Sequence, residues 1–303
     1  MALRLYDPFA RGPYDVETRE FAAGDVRRAR QFNCASWNPV GQAPGVLILF
    51  SHFSGGSKTT SSFLCEHLAS HGYAVASLDH SDHALPRPSD ATDPGEKNAR
   101  MAALIEARVP DIEFLLEVVG KAGQRVGIVG HSFGGWTALA APSKVSRIEA
   151  IVALAPAGAS RPRPGIIPAT LDFAWGRDVP ALVIAGDSDV SIPLDRVRDV
   201  FDRVPSVKRL LVLKGVDHLH FVDNAEEQHE RVRAMVFPPE LRWIQEEMRA
   251  FADLRSEAEA HRIVAGLTLA HFDATLKANA NAGDLLDGYV DATTPAPDRK
   301  GKA

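Results

Sequence analysis

Short apolar runs recur along this chain, and a stretch with helical spacing follows most of them. The runs are VLILF (46–50), YAVASL (73–78), RVGIV (125–129), AIVAL (150–154), ALVIA (181–185) and RLLVL (209–213). Most are apolar on both alternating faces, which suits central strands of a parallel sheet covered by helices. Two earlier runs, 16–21 and 28–37, mix charged and apolar residues. They read as antiparallel edge strands with one wet face. Helices are expected over 59–70, 111–119, 132–141 and 194–204, with at least two more in 240–276. Pro110 and Asp111 are taken as the start of the second of these. The expected fold class is therefore α/β, with right-handed crossovers.

Length and composition narrow the function classes. A chain of 303 residues, 45% hydrophobic and 24% charged, can bury a core without disulfide staples. Its net charge of −5 argues against nucleic acid or an anionic membrane as partner. Cys34 and Cys65 are the sole cysteines, which excludes a disulfide framework. No signal-length apolar segment opens the chain, so a soluble, cytoplasmic protein is expected. Residues 1–290 are expected to form one domain and 291–303 (DATTPAPDRKGKA) a solvated tail. Residues 222–257 are candidates for a small helical cover.

Chemistry concentrates in Gly130-His131-Ser132-Phe133-Gly134-Gly135, a G-x-S-x-G pattern between an apolar strand and an alanine-rich helix. A tight strand–turn–helix bend lifts a serine hydroxyl above a sheet edge, and flanking glycines relieve the crowding there. The helix N-terminus behind it adds partial positive charge where an oxyanion forms. Such a serine needs a base, and the base needs a carboxylate to orient it. Both are available downstream, each after an apolar strand. Asp189 is the favoured acid and Asp187 the alternative; His218 is the favoured base and His220 its competitor. One oxyanion donor is expected from the Phe133 amide. The second is expected from the glycine-rich turn after residues 46–50, at Ser54 or else Phe53.

The blocks LILFSHFSGGSKTTSSFLCEHLASHGYAVASLDHSDH (47–83), VGIVGHSFGGWTAL (126–139), VIAGDSDVSIP (183–193) and LKGVDHLHF (213–221) resemble the α/β-hydrolase superfamily. Within it they are similar to platelet-activating-factor acetylhydrolase-like and dienelactone-hydrolase-like esterases. The resemblance implies an α/β-hydrolase fold: a mostly parallel central sheet, antiparallel N-terminal edge strands and helices on both faces. It also implies a metal-free serine hydrolase of small carboxylic esters, with Ser132, Asp189 and His218 as triad and no cofactor. Departures are visible. Dienelactone hydrolases use a cysteine nucleophile where this chain has Ser132. Acetylhydrolase relatives take their acid from the strand after the nucleophile helix, where this chain reads Leu154-Ala155-Pro156. Phe53 stands where the family's oxyanion loop usually has glycine.

Substrate contacts are expected from Phe53, His131, Trp136, Ile192, Leu219 and Phe221. For Trp136, packing of its helix onto the sheet is the stronger expectation. The cluster Asp79-His80-Ser81-Asp82-His83 resembles a metal-ligand set by residue type. The simpler reading is a polar loop whose Asp82 or His83 bonds neighbouring turns.

Overall fold

The computed structural model describes residues 6–289 and 291. All but the first residue of the proposed tail, 291–303, lies outside the described residues. The strands are β1 (Val16–Asp25), β2 (Arg30–Pro39), β3 (Val46–Ser51), β4 (Ala74–Leu78), β5 (Arg125–His131), β6 (Ile148–Leu154), β7 (Ala181–Gly186) and β8 (Lys208–Leu213). They form one sheet in the order β1-β2-β4-β3-β5-β6-β7-β8. β1 and β2 pair antiparallel, β2 meets β4 antiparallel, and every remaining pairing is parallel. This is the α/β-hydrolase arrangement expected from the blocks above.

The helices are α1 (Ser62–Ser70), α2 (Pro94–Val119), α3 (Phe133–Ala140), α4 (Leu194–Arg203), α5 (Ala225–Arg233), α6 (Arg242–Glu247), α7 (Glu257–Leu276) and α8 (Ala280–Gly288). Two apolar cores lie on opposite faces of the sheet. Leu47 and Leu49 of β3 join Ile112, Leu115 and Leu116 of α2, Leu139 of α3 and Val197 of α4. Ile48 and Phe50, one residue out of phase, join Leu64 of α1, Phe272 of α7 and Leu286 of α8. The alternation along β3 therefore assigns each side chain to one of two helical layers.

One expected boundary is corrected. α2 does not begin at Pro110. It starts at Pro94, capped by Asp93, whose side chain accepts from the Glu96 amide at 2.8 Å, and it passes straight through Pro110. The proline leaves the carbonyl four residues earlier without its helical partner. That residue is the exposed Glu106, where water can replace the missing donor. Asp111 is accordingly no first-turn acid; it is a buried residue facing β4's loop. The connection between β4 and α2 is also shorter than expected and folds into two short 3-10 turns, Ser81–His83 and Pro88–Asp90.

No helix among the described residues is long and apolar enough to cross a membrane.

Candidate active site

Ser132 occupies the bend between β5 and α3 with φ 56° and ψ −113°, a left-handed conformation that side chains adopt only under constraint. The constraint is local. A Cβ on Gly130 would lie 2.1 Å from the Gly134 carbonyl oxygen, and one on Gly134 would lie 1.9 Å from that of Ser51. Only glycine at both positions lets the chain turn this sharply while α3 approaches the end of β3. The Ser132 amide donates to the Leu154 carbonyl at 2.8 Å, and its carbonyl accepts from Trp136 and Ala157 at 3.0 Å each. The backbone is thus pinned on both sides, and the hydroxyl is left without a protein partner.

The loops after β7 and β8 bring an acid and a base together. His218 Nδ1 lies 2.7 Å from Asp189 Oδ2, and Asp189 Oδ1 accepts from the Ile192 amide at 2.8 Å. Asp189 is fully buried as a side chain, whereas His218 keeps 11% exposure and its Nε2 makes no bond to protein. Burial raises the Asp189 pKa, which the His218 charge and hydrogen bond oppose without overcoming. Burial would lower the His218 pKa, but Asp189, with Asp217 behind it, raises it overall. His218 is therefore a histidine with one oriented nitrogen and one open nitrogen.

The alternatives occupy structural positions. Asp187 Oδ1 accepts from the Gly215 amide at 2.7 Å and from Ser188 Oγ at 2.9 Å, joining the two loops rather than facing His218. His220 accepts from the Asp217 amide through Nδ1 and donates through Nε2 to the Arg255 carbonyl, with its ring stacked on Phe251. The base loop is held further by Asp217, which accepts from the Leu219 amide at 2.8 Å and from His229 Nδ1 at 3.0 Å. His229 belongs to α5, so the 222–257 segment braces the loop that carries His218.

The sequence profile of the dienelactone hydrolase family matches residues 32–251. The chain belongs to that family. Membership makes it a hydrolase of the ester and lactone type. By sequence alone the chain matches no curated protein. In three dimensions this family member is similar to a ferulic acid esterase from Streptomyces cinnamoneus, at 21% identity and a TM-score of 0.65. The superposition covers 95% of this chain and 96% of the other, which extends the shared fold beyond the family match.

Phe221, His131, Trp136 and Ile192, expected as substrate contacts, are buried in this structure. Phe221 and His131 are fully buried, with rings 5.3 Å apart, and the His131 ring lies 4.6 Å from that of His218. Burial, reinforced by the His218 charge, holds the His131 pKa well below the usual value. His131 is thus a neutral spacer beneath His218, not a wall residue. Trp136 packs against Phe133 and donates through Nε1 to the Thr170 carbonyl at 2.8 Å, the packing role. Ile192 is also buried, and it serves Asp189 through its amide. Phe53 and Leu219 border an open cleft of about 490 Å³, which Gln228 and Arg231 of α5 also line.

The histidine cluster after β4 is engaged in hydrogen bonds. His52 Nδ1 donates to the Phe53 carbonyl at 2.6 Å, and its Nε2 accepts from the His80 amide at 3.1 Å. His80 Nδ1 faces Asp111 Oδ2 at 3.2 Å and its Nε2 faces Ser51 Oγ at 2.8 Å. His83 Nε2 donates to the Gly56 carbonyl at 2.7 Å. Ligand atoms of His52, Asp79 and His83 do lie within 4.8 Å of one another. However, His52 has spent its lone pair on the His80 amide, and Asp79 already accepts from the Lys58 amide at 2.7 Å. In this arrangement the set forms a hydrogen-bonded scaffold.

Sequence reading missed a fully buried charge near the site. Arg108 of α2 is 0% exposed. The available signal was its place in the helical stripe Leu104, Arg108, Ile112 and Leu115, where an apolar residue is expected. Ending the helix at Pro110 hid that stripe.

Proposed function

We propose that this protein is a serine esterase working through an acyl-enzyme, with Ser132 as nucleophile, His218 as general base and Asp189 as its orienting acid. The observation that carries the reading is the pairing of a constrained Ser132 bend with an Asp189-anchored His218 whose Nε2 is open. In the reaction, His218 Nε2 takes the Ser132 proton as Oγ attacks the ester carbonyl. The imidazolium then gives that proton to the departing alkoxide. Water repeats the sequence on the acyl-enzyme, and the acid leaves. The Phe133 amide and that of Ser54, or Phe53, hold the tetrahedral oxyanion, each donor contributing about 3 kcal/mol to the transition state.

The substrate is a small ester with an aryl or short-to-medium acyl group. What supports this assignment is the cleft bordered by Phe53 of the proposed oxyanion loop and by Leu219, next to His218, which Thr59, Asn224 and Gln228 also line. A hydroxylated ring or a polar acyl group suits such a lining. Lactone cleavage by the same residues is the second reading, favoured by the family to which the chain belongs. A reducing cytoplasm suits Cys34 and Cys65, both buried free thiols.

The test is nitrophenolate release from p-nitrophenyl butyrate, alongside a lactone panel. A fluorophosphonate probe followed by peptide mass spectrometry should mark Ser132. Release by a Ser132→Ala variant at the wild-type rate would remove the serine mechanism. No release from any ester or lactone by folded protein would favour a ligand-binding role.

A further inference from the structure

Arg108 touches both residues that flank the proposed oxyanion site. Its Nη1 donates to the His52 carbonyl at 2.7 Å and its Nη2 to the Phe53 carbonyl at 3.4 Å. Its Nε donates to Asp82 Oδ1 at 3.0 Å, and Nη2 pairs with the other Asp82 oxygen. The guanidinium carbon sits 4.3 Å from the centre of the Phe133 ring. One buried cation therefore grips the loop after β3 and braces the residue next to the nucleophile.

We infer that Arg108 is the positioning residue of the oxyanion hole, holding the His52 and Phe53 carbonyls so that the Phe53 and Ser54 amides face the cleft. The inference rests on the serine mechanism proposed above. Its geometry follows from peptide planarity. No peptide bond among the described residues is cis, so each amide N–H points opposite to the carbonyl of the same unit. Two consecutive carbonyls turned toward Arg108 leave two consecutive N–H groups turned away from it. Neither N–H finds an acceptor among the described residues. The Phe53 carbonyl is over-supplied in compensation: the His52 ring and the Gly56 amide, at 3.1 Å, donate to it as well.

Electrostatics favours the same role. A buried guanidinium is costly, and an apolar side chain of similar volume would serve packing better. Here the charge polarises two peptide units whose N–H ends face the site, which strengthens them as donors in a low-dielectric setting. Asp82, from the cluster that looked like a metal set, is the counter-charge that keeps the cation in place. Arg108 touches no reacting atom, so its influence should appear in the transition state and not in ground-state binding.

The test compares full-length wild type with Arg108→Met, Arg108→Lys and Asp82→Asn. Readouts are kcat and KM on p-nitrophenyl butyrate and the inhibition constant of an alkyl trifluoromethyl ketone, which forms a hemiketal oxyanion on the serine. Circular dichroism and a thermal melt establish folding. Arg108→Met should lower kcat about 100-fold with KM within about threefold, and weaken the ketone in parallel with kcat/KM. Arg108→Lys keeps the charge but cannot span the two carbonyls and Asp82, and should recover part of the loss. Asp82→Asn should lose about tenfold along the same line. A folded Arg108→Met enzyme with wild-type kcat and ketone inhibition overturns the inference, as does a loss confined to KM. If Arg108→Met does not fold, unchanged kcat in Arg108→Lys and Asp82→Asn overturns it equally. Ser132→Ala, run beside them, separates the two ideas: wild-type turnover there removes the serine mechanism itself.

Discussion

Two histidine-bearing loops lie at the carboxyl edge of the same sheet, and they differ in what their nitrogens are free to do. After β4, His80 and the neighbouring His52 spend both ring nitrogens on a carbonyl, an amide, a hydroxyl and a carboxylate, and His83 gives its Nε2 to the Gly56 carbonyl. Burial, and next the Arg108 charge, lowers the pKa of both His52 and His80, so these two stay neutral. After β8, His218 has one nitrogen anchored to Asp189 and the other open, and its pKa is raised. The lesson is that histidine content does not locate proton transfer; a ring oriented by a buried carboxylate, with its far nitrogen open, is the candidate.

The comparison breaks most decisively at the nucleophile. Ser132→Ala should cut turnover of p-nitrophenyl butyrate by about 10⁶-fold, and His218→Gln should do nearly as much; steady-state rates at saturating ester check both. A substantial rate in His218→Gln would move the base to the other loop. Next in size, Asp189→Asn should lower kcat by about 10⁴-fold, while Asp187→Asn should stay within about threefold. Equal losses in the two variants would contradict the division of labour between them.

The oxyanion loop offers a sharper cut. Ser54→Ala keeps the backbone donor and should retain activity within about threefold. Ser54→Pro removes the N–H and should cost about 10²- to 10³-fold in kcat if that amide is the donor. A full rate in Ser54→Pro would transfer the role to Phe53.

Acidity sharpens the contrast between the loops. In the proposed mechanism the base works as neutral imidazole, so kcat/KM should fall about tenfold per pH unit on the acid side. Because the His218 pKa is raised, the midpoint should lie above the ordinary value near 6.5. Asp189→Asn should move that midpoint down, measurable on its residual rate. Stability runs the other way. A raised folded-state pKa stabilises the fold below the unfolded-state value, and that contribution is lost as pH rises through the folded one. Activity should therefore rise across the window in which His218 ceases to stabilise. The smallest effects belong to the β4 loop. His83→Gln should change kcat no more than about threefold, and EDTA should leave the rate unaltered; loss of activity restored by zinc would reverse the scaffold reading.

What could be read in the letters follows the range of the forces involved. Alternating apolar runs report burial within a few residues, so the central strands and the flanking helical layers were legible. The Ser132 bend was legible because Gly130 and Gly134 are local necessities of its geometry. Phe221, His131 and Ile192 were expected beside substrate, and each is buried. Nothing in their spacing distinguishes the front of a site from its backing.

The amino-acid order alone determined which elements form and which serine stands on the bend, because period and turn chemistry act over a few neighbours. Tertiary structure decided which histidine pairs with a buried aspartate and keeps its far nitrogen open, and why an arginine lies buried in α2. Those outcomes depend on residues such as Asp189 and His218, or Arg108 and His52, that lie 29 and 56 positions apart. Only packing of separate elements sets the distance, burial and charge on which their chemistry depends.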